Sequence, residues 1–339
     1  MTDLRDYTSL RVGGPATKFV EVHNEAEIIA ALDEAGDSQV LILGGGTNVL
    51  ISDAGFEGTV IHITNSALVS EVDACSGATL TIGAGENWDE FVALTLERGF
   101  AGLETLSGIP GTLGAAPIQN IGAYGHEVSE FITRVRTYDR TIKGIKTFTN
   151  NECEFEYRSS HFKKNPGRYI VLEVQFQLRQ GEYSDPITYA ELAKKLGIEV
   201  GEKAVLAQVR SAVLELRASK GMLLNPDDRD SWSAGSFFTN PIVSAEIAAA
   251  LPADAPRWPL EDGRVKTSAA WLIEHAGVAK GSVHGGARVS TKHVLALTNG
   301  GDATATDLVE LAKSAQAKVY EKFAIKLEPE VNLVGLSLL

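Results

Sequence analysis

Two glycine-rich stretches of this 339-residue chain could bind a phosphate-bearing ligand through backbone N–H groups. The longer one, residues 103–125, reads LETLSGIPGTLGAAPIQNIGAYG and offers no side chain that commonly acts as a nucleophile. Glycine permits positive φ and lets a ligand approach the main chain, while proline fixes φ at about −65°. Such a stretch suits a nest, in which consecutive N–H groups surround an anion. A long surface loop without a ligand is the alternative.

The shorter stretch, residues 39–51, reads QVLILGGGTNVLI. It predicts a buried strand over residues 40–43 that leads into Gly44, Gly45 and Gly46. No Lys-Ser or Lys-Thr follows these glycines, as a Walker loop requires, and Val49 stands where a Rossmann fingerprint has its last glycine. Two nests far apart in sequence predict a dinucleotide with two phosphates, held by neither of these common folds.

Ser236 lies between Gly235 and the aromatic pair Phe237-Phe238 and could transfer a proton. A capping or turn serine is the alternative, because Gly-Ser pairs commonly form turns. The chain contains no G-x-S-x-G motif, which argues against a hydrolase triad. A hydroxyl is a weak acid, so proton donation from Ser236 needs a nearby cation or a relay.

Composition narrows the class of protein. The 44 acidic and 31 basic residues give a formal net charge of −13, which argues against a nucleic-acid or anionic-membrane partner. Cys75 and Cys153 are the two cysteines and form no CxxC motif, so we expect free thiols rather than a disulfide framework or a metal site. No secretory signal or long apolar window is visible, and we expect a soluble cytoplasmic protein.

The pattern of elements predicts an α+β fold. Capping signals at Asn24 with Glu27, and at Asn87 with Glu90, predict helices that end at about Ala35 and before Gly99. Strands are predicted at residues 17–22, 40–43, 60–63, 79–82, 132–138, 145–148 and 169–178.

The second half adds helices and a linker. Thr188 with Glu191 predicts a helix start around Tyr189, and residues 225–233 have the composition of a linker or lid hinge. Further elements are predicted as helices ending at Gly197 and near Ser219, helices over 268–275 and 307–323, and strands over 294–298 and 328–334. The predicted domains are residues 1–66, residues 67–218 with 325–339, and residues 219–324. The last strand is expected to return to the second of these domains.

Five segments in order carry a family resemblance: GGGTNVLISD, SGIPGTLGAAPIQNIGAYG, YRSSHFKK, SAGSFFTNP and LEPEVNLVG. They resemble the UDP-N-acetylenolpyruvoylglucosamine reductase (MurB) family of flavin enzymes, and the ITYAEL insertion favours its longer, type I form. The resemblance implies two α/β units that sandwich non-covalent FAD, as in the PCMH-like flavoproteins, and a third, substrate-binding domain. It also implies NADPH as reductant, a UDP-sugar substrate in peptidoglycan synthesis, and a monomer.

The same resemblance assigns roles to residues. Arg158 would hold the substrate carboxylate, Ser236 would donate a proton to the substrate carbon, and Glu330 would share or relay a proton. Glu328 lies on the same face of the predicted strand as Glu330. The alternative for Arg158 is an ordinary surface arginine, and the alternative for Glu330 is a solvated carboxylate. The residues expected to line the flavin are Gly44, Gly45, Gly46, Thr47, Asn48, Val49, Ile109, Pro110, Gly111, Gly114, Asn120, Gly122, Ala123 and Tyr124.

For the nucleotide sugar the resemblance implies Tyr189 as a lid, with Lys220, Asn240 and an assisting Arg217. The two cations also suit a helix C-terminus, and Asn240 before Pro241 suits a turn. Ala115 departs from the Gly-Gly pair expected there. No role is assigned to His284, Lys292 or His293.

Two other functions stay open at this point. One is a flavin oxidase of similar architecture that acts on alcohols or sugars, although neither nest offers the His or Cys of a covalent flavin link. The other is a nucleotide-sugar or flavin binding protein without turnover.

Overall fold

The computed structural model describes residues 1–73 and 77–338, and the chain folds into two compact units. The first unit contains Met1–Ala16, Gly46–Phe56 and the chain from Leu224 onwards. The second contains Thr17–Gly45 and Glu57–Leu223. The functional division into two flavin-binding segments and one substrate-binding segment stays a prediction.

Both helices and strands build the described part of the chain, which confirms the α+β class. The helices are α1 (Glu25–Ala35), α2 (Trp88–Glu97), α3 (His161–Lys164), α4 (Ala190–Leu196), α5 (Leu206–Ser219), α6 (Ala245–Ala250), α7 (Ala269–His275) and α8 (Ala305–Phe323). The strands are β1 (Thr2–Asp3), β2 (Pro15–Val22), β3 (Val40–Leu43), β4 (Val49–Ile51), β5 (Phe56–Ile63), β6 (Leu68–Asp73), β7 (Gly77–Gly83), β8 (Phe100–Ala101), β9 (Gly122–Ala123), β10 (His126–Glu127), β11 (Ile132–Asp139), β12 (Gly144–Thr149), β13 (Tyr169–Gln180), β14 (Ser233–Ser236), β15 (Ile242–Val243), β16 (Arg257–Pro259), β17 (Val265–Thr267), β18 (Val283–His284), β19 (Ala287–Val289), β20 (Ala296–Asn299) and β21 (Asn332–Val334).

The second unit is built on an antiparallel sheet of order β12-β11-β13-β7-β6, with β8 paired to the end of β13. A smaller sheet contains β2, β5 and β3, in which β3 runs parallel to β5. Helix α2 packs on the large sheet through Trp88 and Phe91, whose rings lie 6.2 and 5.2 Å from that of Phe176. The buried aromatic cluster therefore fixes the helix whose first turn adjoins the second glycine-rich stretch.

Helix starts in the second unit follow their capping residues. The Asn24 side chain accepts the Glu27 amide at 3.0 Å, and Asn87 accepts the amides at the start of α2, so both capping predictions are confirmed. The prediction for α4 is wrong in one respect, because its N-cap is Tyr189 and no side chain caps the helix. The predicted end at Gly197, which has φ of 72°, is confirmed.

The first unit combines a sheet of order β14-β20-β19-β18, a small sheet of β15, β17 and β16, and the parallel pair β21 and β4. The predicted C-terminal strand over residues 328–334 forms at Asn332–Val334 alone, so Glu328 and Glu330 precede it, and its partner is β4 rather than a strand of residues 67–218. A capping box of Thr304 and Asp307 begins α8 at Ala305, two residues before the predicted start. The apolar face of α8 lies in the core of this unit.

Residues 225–233 are held by polar contacts within the first unit. Asp228 pairs with Lys292 at 2.5 Å, and Asp230 accepts the Thr291 amide at 3.0 Å. Trp232 lies under the guanidinium of Arg11, whose carbon is 4.0 Å from the ring centroid. The predicted linker is therefore tied to the segment around Lys292, a residue for which the sequence indicated no role.

Cys153 is fully buried and forms no disulfide, and burial raises the pKa of its thiol to about 12. Cys75 lies outside the described residues. In the described ranges, no cluster of His, Cys, Asp and Glu side chains has the arrangement of a metal site. No helix within those ranges is both long and apolar enough to cross a membrane.

Candidate functional site

Two amides of the first glycine-rich stretch are available to a ligand. The amides of Gly44 and Gly45, which follow β3, have no hydrogen-bond acceptor among the described residues. A Cβ added at Gly44 would lie 2.3 Å from Thr112 Oγ1, so this stretch packs directly against the second one. Donors without protein acceptors at a strand end fit an anion, which supports the predicted diphosphate position.

Gly46 is a position that only glycine fits. Its φ is 62°, and a Cβ there would lie 1.8 Å from the Tyr7 carbonyl oxygen within the first unit. The Ser9 amide donates to the Gly46 carbonyl at 3.0 Å. The turn at Gly46 is thus fixed by contacts with residues 7–9 of the same unit.

The second glycine-rich stretch uses many of its donors internally. The amides of Leu113 and Gly114 donate to the carbonyls of Glu86 and Ala84 at 2.9 and 2.7 Å. The Gly111 carbonyl accepts the Trp88 amide at 3.0 Å. These bonds fasten the stretch to the segment that leads into α2.

Ala115, which departs from the family pattern, is exposed, and its amide donates to the Thr112 carbonyl at 3.1 Å. Gly114 differs, because a Cβ there would lie 2.5 Å from the Cβ of Ala84. The close packing in this stretch therefore depends on Gly114, and the methyl group of Ala115 is compatible with it.

Three predicted site residues have a strained backbone. Asn120, Tyr124 and Arg158 have φ of 46°, 50° and 52°, a region that residues other than glycine seldom adopt. Such strain costs of order 1–3 kcal/mol per residue and tends to occur at functional sites. Arg11, Lys143, Glu154 and Ala324 also have positive φ, so this backbone conformation is not confined to the predicted site.

Arg158 is held by the main chain of the second stretch. Its Nη1 donates to the Asn120 carbonyl at 3.3 Å and its Nη2 to the Gly122 carbonyl at 2.7 Å. The side chain is partly buried, so the freely exposed arginine considered from the sequence is not what forms. Lys163 Nζ donates to the Arg158 carbonyl at 3.0 Å and fixes the residue from its other side.

The fully buried Asn120 ties this turn together. Its Nδ2 donates to Glu127 Oε2 at 2.6 Å and to the Glu156 carbonyl at 3.2 Å. Its Oδ1 accepts the Ser129 amide at 3.1 Å. One side chain thus links the glycine-rich stretch, the β9–β10 hairpin and the segment that carries Arg158.

The structure brings three predicted substrate-binding residues together around Tyr124. The rings of Tyr124 and Tyr189 meet edge to face at 5.4 Å, and Lys220 Nζ lies 5.9 Å from the Tyr124 ring. Lys220 also pairs with Glu191 at 2.6 Å. Burial raises the pKa of Tyr124 to about 12, while the charge of Arg217 opposes that rise.

In the first unit, Ser236 and Glu330 lie on neighbouring chain segments. The amide of Glu330 donates to the Phe237 carbonyl at 2.8 Å, one residue beyond Ser236 at the end of β14. Asn48 Nδ2 donates to the Glu330 carbonyl at 3.3 Å. The unit thus brings a predicted flavin residue and two predicted catalytic residues to one place.

Glu328 and Asn240 have visible structural partners. Glu328 is exposed and pairs with Lys326 at 3.2 Å, whereas Glu330 is partly buried. The Asn240 Oδ1 accepts the amide of Ala269, the first residue of α7, at 2.9 Å. The contrast in burial favours Glu330 over Glu328 for proton transfer, and Asn240 has at least a helix-capping role.

Sequence reasoning missed Asp89 and Arg210, whose side chains pair beside the second stretch. Asp89 stood in the first turn of a predicted helix, where an acidic residue is ordinary. Its partner lies 121 positions away, and no local signal relates the two.

Comparisons with known proteins cover nearly the whole chain. Residues 226–334 match the family model for the UDP-N-acetylenolpyruvoylglucosamine reductase C-terminal domain, and residues 16–141 match that for an FAD binding domain. The UDP-N-acetylenolpyruvoylglucosamine reductase of Cutibacterium acnes is 50% identical, with 99% of this chain and 90% of that protein aligned. The protein of the same name from Streptomyces coelicolor is 48% identical, with the same shares aligned.

A solved structure agrees with these sequence relatives. The crystal structure of UDP-N-acetylenolpyruvylglucosamine reductase (MurB) from Thermus caldophilus aligns with a TM-score of 0.68 at 25% identity. The alignment covers 98% of this chain and 97% of that one.

Proposed function

The chain belongs to the UDP-N-acetylenolpyruvoylglucosamine reductase family, and we propose that Arg158, Ser236 and Glu330 carry the family's reaction in it. That reaction is the NADPH-dependent reduction of UDP-N-acetylglucosamine enolpyruvate to UDP-N-acetylmuramate, a step in peptidoglycan precursor synthesis. FAD, bound non-covalently, supplies the hydride chemistry. Family membership decides against the oxidase and the binding protein without turnover.

The observation that supports the position of the flavin diphosphate is the pair of amides at Gly44 and Gly45, which have no acceptor among the described residues. A Cβ at Gly44 or Gly46 would approach an oxygen of the protein to within 2.3 Å or less, so glycine lets this turn pack tightly while its donors stay available. In a chain of formal charge −13, uncharged N–H donors attract a diphosphate without needing net positive charge. The remaining glycine-rich residues would line the isoalloxazine and ribityl parts.

Arg158 would bind the carboxylate of the enolpyruvyl group and stabilise the negative charge that develops beside it. Its planar guanidinium suits a carboxylate, and its bonds to the Asn120 and Gly122 carbonyls hold it in place before substrate arrives. Such preorganised charge needs no rearrangement during the reaction and is the usual source of large rate effects.

Ser236 would deliver the proton of its Oγ–H to the substrate carbon that bears the carboxylate. Glu330, whose amide bonds to the residue after Ser236, would carry a proton on its carboxyl group and return it to Oγ. The buried Phe237 and Phe238 hold the serine at the end of β14.

Tyr189, Lys220, Arg217 and Asn240 would hold the nucleotide sugar. Tyr189 has 42% of its surface exposed although its ring contacts Tyr124, which is compatible with a lid over the ligand. Lys220 is paired with Glu191, and a substrate phosphate would compete with that carboxylate for the ammonium group.

Rapid mixing of the Ser236→Ala variant tests the assignment. NADPH should still bleach its flavin at the normal rate, whereas reoxidation by the enolpyruvyl sugar should slow by roughly 100- to 1000-fold. Ser282→Ala, which removes a hydroxyl from an exposed turn, is the matched control and should leave both rates unchanged. Unimpaired reoxidation by Ser236→Ala would overturn the role of the serine.

We also propose a cytoplasmic, monomeric enzyme that binds no nucleic acid and no membrane. NADPH and nucleotide sugars are cytoplasmic metabolites, and the charge of −13 opposes binding to polyanions. Sedimentation at micromolar concentration checks the monomer, and a stable dimer would contradict it.

A further inference from the structure

Gly108, at the start of the segment expected to line the flavin, is held from three directions within the second unit. Its amide donates to Asp89 Oδ1 at 2.5 Å, and its carbonyl accepts Arg217 Nε at 3.0 Å. Its φ is 71°, and a Cβ would lie 2.6 Å from Leu223 Cδ2 and 2.8 Å from Leu214 Cδ2. The peptide groups on both sides of Gly108 are therefore fixed by side chains.

Arg210 in turn fixes the carboxylate of Asp89. Its two terminal nitrogens donate to the two carboxylate oxygens at 2.6 and 2.8 Å, the paired geometry that suits guanidinium and carboxylate. The Asp89 and Arg210 side chains are 32% and 20% exposed, so the pair is partly shielded from water. Burial alone would raise the pKa of Asp89, but the bonds from Arg210 and Gly108 outweigh it and the pKa is lowered.

Both arginines come from one face of α5. Arg210 and Arg217 are seven residues apart, about two helical turns, and therefore point the same way. One reaches Gly108 through Asp89, and the other contacts it directly. The same helix ends at Ser219, and its C-cap residue Lys220 lies beside Tyr124 in the proposed substrate cluster.

The far end of the segment is tied to α2 as well. The Gly111 carbonyl accepts the amide of Trp88, the residue next to Asp89. Residues 108–111 thus lie across the first turn of α2, and both ends are fixed to adjacent residues. Ile109 and Pro110 therefore lie between two ends that are fixed to the protein.

We propose that Asp89 and Arg210 are positioning residues that fix Gly108 and so present the main chain of residues 109–111 to the flavin. The inference rests on the proposed function, since it takes FAD as the ligand. A partly buried ion pair contributes little to stability compared with an apolar contact of the same size. In this pair, Asp89 Oδ1 accepts bonds from both Arg210 and the Gly108 amide, which indicates that the ion pair serves to fix the position of Gly108.

Titration of FAD into the apoprotein tests the proposal, with flavin fluorescence as the readout. Asp89→Ala and Arg210→Leu should each raise the Kd for FAD by roughly 10- to 100-fold, because each removes a charged hydrogen-bond partner. The double variant should bind FAD with the same Kd as the single variant that binds it less tightly, since both changes break the same ion pair. Glu215→Gln, which weakens the exposed α5 ion pair with Lys195, is the control and should stay within about twofold.

Two further measurements separate positioning from a merely structural role. Arg210→Lys keeps the charge but cannot form both parallel bonds, so it should fold normally and still raise the Kd several-fold. Visible circular dichroism of the bound flavin should change in Asp89→Ala, because the ring environment is altered. A role confined to stability would lower the melting temperature and leave both the Kd and the flavin spectrum of folded protein unchanged.

The outcomes for this inference and for the proposed function are distinct. Wild-type protein that takes up no FAD would refute the flavin assignment. Wild-type protein that binds FAD normally, together with Asp89→Ala and Arg210→Lys variants that bind it equally well, would refute the positioning role alone.

Discussion

The two glycine-rich stretches look alike in sequence but use their backbone groups in opposite ways. Gly44 and Gly45 have amides without an acceptor in the described part of the chain. In the second stretch, the amides of Gly108, Leu113 and Gly114 all donate to groups of the protein. Glycine content therefore indicates where a main chain is bare, and only the hydrogen-bond pattern shows whether its donors remain for a ligand.

The comparison assigns different tasks to the two stretches. The first offers donors, so we expect its variants to affect binding of the diphosphate. The second is a scaffold whose shape depends on close packing and on Asn120, so we expect its variants to affect stability as well. Substitutions in the two stretches test this distinction.

Gly46→Ala should both destabilise the protein and abolish tight FAD binding. A methyl group there would meet the Tyr7 carbonyl at 1.8 Å, and the positive φ adds strain, together roughly 2–5 kcal/mol. Urea unfolding of the apoprotein and FAD titration measure the two effects. Gly197→Ala is the matched control, because Gly197 has φ of 72° but open space around it, and about 1–2 kcal/mol is expected. Equal losses in the two variants would contradict the steric argument.

Asn120→Ala should lower the free energy of unfolding by roughly 2–4 kcal/mol, because it removes the bonds that the buried Asn120 side chain makes to Glu127, to the Glu156 carbonyl and to the Ser129 amide. Urea unfolding measures this loss. Asn120→Gly, which also relieves the positive φ, should lose less. A larger loss in the glycine variant would show that backbone strain is not significant at this position.

Gly114→Ala and Ala115→Gly form a neighbouring pair with opposite expectations. The first places a Cβ 2.5 Å from that of Ala84 and should cost roughly 1–3 kcal/mol. The second removes an exposed methyl group and should leave the Kd for FAD within about twofold. Melting temperature and FAD titration check both, and a clear gain in affinity from Ala115→Gly would show that the methyl group obstructs the ligand.

The hairpin of β9 and β10 should give the second unit a small pH dependence. A hydrogen bond with Glu130 raises the pKa of His126, so its stabilisation is complete below about pH 6.5 and is lost as pH rises through the raised value. Because Glu130 is partly exposed, we expect less than about 1 kcal/mol. Melting temperatures between pH 5.5 and 8.5 should fall less in His126→Gln than in the wild type.

Local chemistry explains what the sequence predicted well. Asn24 and Asn87 begin helices because their side chains accept hydrogen bonds from amides only a few residues away. The sequence motif therefore contains both groups of the bond that starts the helix. The glycine-rich stretches and the family motifs are likewise contiguous. The reliable predictions are those in which the interacting groups are near each other in the chain.

Long-range partners explain what the sequence could not predict. The parallel pairing of β21 with β4 and the pairing of Asp89 with Arg210 depend on the folded topology, and neither has a local pattern. The positive φ of Arg158 is also invisible, because an arginine gives no hint of a backbone conformation imposed by its surroundings. The role of each catalytic side chain stays a prediction for the kinetic experiments.

The first unit is assembled from three separate segments of the chain, which affects how it can fold during synthesis on the ribosome. Asn48 bonds to Glu330, 282 positions later, and Leu10 and Leu50 share a core with α8. The nascent N-terminal segment must therefore wait for almost the entire chain to be translated, whereas residues 57–223 can collapse earlier. Slow elongation would prolong the exposure of those early apolar residues, and a chaperone that shields them should raise the yield of native enzyme.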